Sequence, residues 1–221
     1  MLSANFPTAF AIRLLMLAIG ALVLKTTASV VLGYVDYLPP NFDADFLLGR
    51  EAYFWGAYGI AFYVHLLSGP LSLVLTLLLV STMLRCHFPT WHRWLGRVQV
   101  ANILLLLTPS GLWMSWYAAT GTIAAVGLAL LAIATALCTI IGWRFAIRRQ
   151  FLEHQHWMQR TYLLLLSAVV VRILGGLATV WEFNATWIYP ASVWISWLVP
   201  LVIFELWRWH RAGRVQPSAV T

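Results

Sequence analysis

Six apolar runs, each long enough to cross a bilayer as a helix, constrain this 221-residue chain more than any other feature. A helix needs roughly 20 consecutive apolar residues to cross about 30 Å of hydrocarbon. Within that depth every backbone N–H and C=O must be satisfied inside the protein. The runs cover residues 10–35, 54–84, 98–119, 123–147, 158–180 and 187–207. With 62% hydrophobic and 10% charged residues, the chain has too few charges to cover a surface that faces water. Disordered, disulfide-rich secreted and collagen-like classes are excluded by the same figures. The expected fold is all-α: a polytopic bundle of six transmembrane helices, forming a single transmembrane domain over residues 1–221. Short connections make neighbouring helices antiparallel. The length leaves no room for a large catalytic domain outside the membrane.

The net charge of +7 would suggest nucleic acid in a soluble protein, but the positions of the charges decide otherwise. Arg85, Arg93 and Arg97 flank the second connection, and Arg144, Arg148, Arg149 and Arg160 the fourth. Arg208, Arg211 and Arg214 follow the last span, and Arg13 lies near the start of the first. The alternate connections hold Arg50 beside Asp36, Asp43, Asp45, Glu51 and Glu182. Under the positive-inside rule this asymmetry places both termini in the cytoplasm, in a bacterial inner (plasma) membrane. Membrane lipids are the expected partners, with other membrane subunits as a second possibility and no nucleic acid. The first run lacks the flanks of a cleaved signal peptide and reads as an uncleaved span. Most of the thirteen tryptophans fall near span ends, as interfacial anchors. Trp194 and Trp197 sit near mid-membrane and mark a candidate lipid- or partner-facing surface. Asp36 to Ala52, with Pro39-Pro40, has room for a short surface helix. Cys86 and Cys138 read as inert thiols in a reducing setting, not as a disulfide.

Ionisable groups inside spans are costly and are functional candidates by default. Three stand out. Lys25, His65 and Arg172 each lie about 20–28 Å along their helices from the inner end. A shared cavity lined by them would suit an anionic or electron-rich ligand: a carboxylate, a quinone carbonyl or a haem propionate. The competing reading has Lys25 snorkelling outward, Arg172 capping carbonyls freed around Pro190 or Pro200 and His65 satisfied in the core. A second constellation lies at the inner boundary. Trp91-His92-Arg93-Trp94-Leu95-Gly96-Arg97 opens the third span, and His154-Gln155-His156-Trp157-Met158-Gln159-Arg160 opens the fifth. If those spans are neighbours, His92 and His154 or His156 are candidate axial ligands of haem b, with Arg93, Arg97 and Arg160 for its propionates. Three imidazoles would equally suit a transition metal, and lipid phosphate is the bland alternative.

The run Phe62-Tyr-Val-His65-Leu-Leu-Ser68-Gly69-Pro70 continues into His92-Arg93-Trp94-Leu95-Gly96-Arg97. His154-x-x-Trp157-Met158-x-Arg160-x-Tyr162 and Arg172 complete the pattern. Over residues 60–175 it resembles a bacterial family of predicted multi-pass membrane proteins, domain of unknown function 2306. The resemblance implies a helical membrane bundle and marks His65, His92, Arg93, His154, Trp157, Arg160, Tyr162 and Arg172 as shared positions. It implies no activity.

No carboxylate pair, activated nucleophile or phosphate loop lies in the spans, so hydrolase and transferase chemistry is disfavoured. The leading expectation is a cytochrome b-like redox protein that binds haem or quinone. The alternatives are an anion- or lipid-binding or transport protein, and a non-catalytic accessory subunit of a larger membrane complex.

Overall fold

The computed structural model describes residues 6–44, 46–183 and 185–213. Asp45, Arg214 and the side chain of Arg13, which enter the charge argument, lie outside the described residues. No strand occurs among the described residues. The helices are α1 (Phe6–Leu32), α2 (Glu51–Val80), α3 (Thr82–His87), α4 (Pro89–Trp116), α5 (Thr122–Ile147), α6 (Phe151–Val180) and α7 (Ile188–Gly213). All but α3 are long and apolar enough to cross a membrane. The all-helical, six-span expectation therefore holds.

Two helix starts differ from the hydropathy reading by about two turns. α4 begins at Pro89 instead of near 98, and α6 at Phe151 instead of near 158. The residues added are polar and aromatic, so no apolar run marks them. Pro89 suits the first helical position, where its missing N–H costs nothing. Both His-Arg motifs therefore ride on the opening turns of helices. α2 stops at Val80 because Ser81 turns to extended backbone, and its hydroxyl caps α3 by accepting from the Leu84 N–H. The Asp36–Ala52 connection carries a 3-10 turn over Gly33–Tyr37 and further turns, with no separate surface helix among its described residues.

The helices gather into two compact units, Met1–Asn102 and Ile103–Thr221, with the division inside α4. In the first unit, α2 packs on α1 and on the first half of α4. Pro70 lies inside α2 and cannot donate to the Leu66 carbonyl four residues back. The Tyr34 hydroxyl donates to that carbonyl instead, from the 3-10 turn after α1. In hydrocarbon the bond is a requirement of burial. Tyr34→Phe should therefore destabilise the protein by about 1–2 kcal/mol. Pro70→Ala supplies the missing N–H, so in that background Tyr34→Phe should cost only a few tenths of a kcal/mol. Unfolding by SDS titration of the four proteins in mixed micelles measures the coupling, and equal costs in both backgrounds would refute the assignment.

Further along the same interface, Ser68, Ser72 and Thr76 of α2 face Gln99 and Asn102 of α4, all buried. Gln99 Nε2 donates to Ser72 O (3.2 Å) and Thr76 Oγ1 (3.3 Å). Asn102 Nδ2 donates to Ser68 O (3.0 Å) and Ser72 Oγ (2.7 Å). Main-chain carbonyls only accept, so both amide orientations are determined. At the far end of α2 the connection folds into an aromatic cap. Tyr37, Phe42, Phe46, Phe54, Phe62 and Tyr63 meet mostly edge to face. The buried Arg50 donates to Phe46 O (2.6 Å) and lies 4.8 Å from the centre of that ring.

In the second unit, α5, α6 and α7 pack against one another, and the end of α4 packs on α5. Two tight turns make the hairpins. Arg149 takes a left-handed conformation (φ 58°), and Gln150 N–H bonds back to Phe145 O, closing α5. Glu182 (φ 55°) and the bond from Phe183 N–H to Ala178 O close α6 in the same way. The core gathers Cys138, Leu164 and Trp197, with Ala134, Leu131, Trp157, Trp194 and Leu201 around them. Trp197 is only 7% exposed, which corrects its reading as a lipid- or partner-facing residue. The small Ala134 and Cys138 of α5 leave the space that its indole fills. Trp194 is half-buried and donates to Ile123 O (3.1 Å), where Gly127 lets the indole lie against α5.

Candidate functional site

The opening turns of α6 present two faces, and the structure divides the expected site residues between them. His154, Met158 and Thr161 lie on the α5 side. Met158 and Thr161 are buried, and His154 is half-buried. Gly142 of α5 makes this approach possible: a Cβ there would lie 2.7 Å from Met158 Sδ and 3.3 Å from Trp157 Cβ. The close contact brings His154 Nδ1 to 2.9 Å from Gly142 O. A carbonyl only accepts, so Nδ1 carries the proton. In the neutral ring the lone pair is then on Nε2.

The other face holds Glu153, His156 and Arg160, opposite α7. Arg160 grips Glu205 with two bonds, Nε to Oε1 at 2.6 Å and Nη2 to Oε2 at 3.0 Å. Its guanidinium lies 4.4 Å from the Trp157 ring centre and 5.9 Å from that of Phe204. Arg208 approaches Glu205 at 3.9 Å and donates to His156 Nδ1 at 3.3 Å. Because arginine only donates, His156 accepts there through a deprotonated Nδ1. Glu153 lies 3.9 Å from the same nitrogen. His154 and His156, two residues apart, thus point to different helices and engage different partners. The metal alternative needs three imidazoles together, and no group of three or more His, Cys, Asp or Glu able to hold an ion occurs among the described residues.

The remaining candidates are placed as follows. His92 is half-buried on the first turn of α4. Arg93 is exposed and bonds Thr90 Oγ1 (3.4 Å), and Arg97 is exposed. His65 is half-buried on α2. Lys25 is exposed on the side of α1 away from the packed stripe of Val23 and Thr27. Arg172 is exposed and donates to Ala168 O (2.8 Å), a carbonyl of its own helix and not one freed around Pro190 or Pro200.

Sequence reasoning missed Glu205 and Gly142. Glu205 had a signal. It is the acid nearest the end of α7, eight residues before Gly213, and Arg160 lies nine residues into the antiparallel α6. Equal distances from the same end put the two charges at one level. Gly142 had none, because its value lies in an approach visible only once helices pack.

Neither a curated protein nor a solved structure matches the chain. A family described as "Predicted membrane protein (DUF2306)" matches residues 62–208, which extends the resemblance past residue 175 through the last span. The stretch takes in His65, His92, His154, Arg160, Arg172 and Glu205. The chain belongs to the DUF2306 family of predicted integral membrane proteins.

Proposed function

We propose that this membrane protein is a cytochrome b-like redox protein, in which His154 offers Nε2 to the iron of haem b. One observation carries the reading: His154 Nδ1 donates to Gly142 O at 2.9 Å. A carbonyl that accepts from the far nitrogen of a ligating imidazole fixes its tautomer and ring orientation and raises its basicity. The same neutral Nε2 would accept a hydrogen bond from a quinol hydroxyl, so quinone chemistry is the other outcome at this atom. Arg160 is committed to Glu205, which leaves it as the neutralised tie between α6 and α7. The orientation that goes with the reading puts the arginine-rich ends in the cytoplasm of a bacterial inner membrane.

The protein, expressed with a haem precursor and purified in mild detergent, should show a Soret band that shifts on dithionite reduction. His154→Ala should abolish the band, whereas His156→Ala should keep it. Colourless wild-type protein would sink the haem reading. Colourless protein that co-extracts a quinone lost in His154→Ala would transfer the site to quinone.

A second reading, binding of anionic lipid, is favoured by the exposed Arg144, Arg148, Arg149 and Arg211 at one end of the second unit. Arg211 lies 4.1 Å from the Trp207 ring centre, an arrangement suited to the headgroup level. Enrichment of cardiolipin or phosphatidylglycerol over phosphatidylethanolamine in the purified protein would support it.

A further inference from the structure

The polar seam between α2 and α4 leaves two buried acceptors unmet. Both amides commit their nitrogens to α2: Gln99 Nε2 to Ser72 O and Thr76 Oγ1, Asn102 Nδ2 to Ser68 O and Ser72 Oγ. Two of those partners are main-chain carbonyls, so neither amide can turn its oxygen towards them. Gln99 Oε1 and Asn102 Oδ1 are therefore aimed elsewhere. Both atoms are buried, and neither accepts a hydrogen bond from a described residue. Gln99 is 0% and Asn102 4% exposed, and Gln99 stands ten residues, about 15 Å of helix, beyond the start of its span at Pro89. An amide oxygen without a donor at that depth is costly. The same interface has space. Gly69 is half-buried on this side of α2, three residues before Ser72 and seven before Thr76. Apart from its chain neighbours and the local helix backbone, no heavy atom lies within 4 Å of where its Cβ would stand.

We propose that this seam binds one ordered water molecule, which donates its two hydrogens to Gln99 Oε1 and Asn102 Oδ1. The proposal is independent of the haem reading. Side chains three residues apart on a helix stand side by side, with about 5–6 Å between their Cβ atoms, so one molecule reaches both. The donor inventory matches a water. Ser72 Oγ and Thr76 Oγ1 accept from the two amides, and each hydroxyl keeps a proton to give. Two leftover acceptors and two hydroxyl protons are what a water with two hydrogens and two lone pairs satisfies, within the usual two to four partners of a buried water. Charge selects water over a metal cation. Neither α1, α4 nor α2 beyond its first residue, Glu51, contains Asp or Glu. A cation among these neutral oxygens would stand in hydrocarbon without a counter-charge.

Crystals of the full chain grown in a lipid phase test this, one set in sodium chloride and one in choline chloride. At a resolution that shows solvent, both should hold one density peak within about 3.2 Å of Gln99 Oε1 and of Asn102 Oδ1. The peak should refine as water at the same occupancy in the two salts. Gln99→Met with Asn102→Leu removes both acceptors and should lose it. A peak present with sodium and lost with choline would make this a cation site and overturn the proposal. No density between the two oxygens of the wild-type protein would overturn it without recourse to any variant. A peak that persists in the double variant would do the same, because the amide oxygens would then not be what holds it.

Discussion

Glu205→Ala should destabilise the protein by about 2–3 kcal/mol, and Arg160→Ala by about 1 kcal/mol less, although the two residues form one ion pair. The asymmetry follows from their surroundings. The Arg160 side chain is 14% exposed and lies among Trp157 and Phe204, so losing Glu205 leaves a guanidinium that water scarcely reaches. The Glu205 side chain is 43% exposed, and Arg208 stands 3.9 Å away to compensate it. Solvent screening there also keeps the cost of either change below that of a fully buried pair. Replacing both together, Arg160→Met with Glu205→Leu, removes both desolvation penalties and should recover most of the loss. The measurement is unfolding free energy by SDS titration for the three variants. Equal losses in the two single variants, or no recovery in the double, would show that the pair does not hold α6 to α7 as its geometry implies.

The limits of the sequence follow from the same physics. The spans were legible because a bilayer filters on length and apolarity, and both are properties of a sequence window. The starts of α4 and α6 were not, since Trp91–Arg97 and His154–Arg160 are polar helical turns that no apolar run announces. The two His-Arg motifs singled out His154, His156 and Arg160, yet not their division between two faces. That division depends on which helices lie to either side. Lys25 was visible as an anomaly from its charge alone, whereas the side of α1 on which it stands became visible only with Val23 and Thr27 packed. Trp197 shows the reverse case. A tryptophan near mid-span reads as surface until Ala134 and Cys138 are placed opposite it.

Gly142 joins packing to function most directly, so its substitution is the sharpest test of the site. A Cβ at 142 would meet Met158 Sδ at 2.7 Å, the far end of a flexible side chain, and Trp157 Cβ at 3.3 Å, which is close to the backbone of α6. The thioether can swing away and the tryptophan Cβ cannot, so Gly142→Ala should cost about 1 kcal/mol. Gly142→Val adds two methyl groups in the same gap and should cost about 2–3 kcal/mol, by driving α5 and α6 apart. A shift of a few tenths of an ångström is enough to stretch the 2.9 Å bond from His154 Nδ1 to Gly142 O beyond good geometry. If His154 ligates haem as proposed, Gly142→Val should therefore lose the Soret band at temperatures where its helices remain folded by circular dichroism. Met158→Ala opens the space that the new side chain needs, so Gly142→Ala with Met158→Ala should restore the spectrum of Met158→Ala alone. If Gly142→Val melts well below wild type yet keeps an unchanged Soret band, the glycine serves packing only. Ligation would then owe nothing to the carbonyl that orients His154.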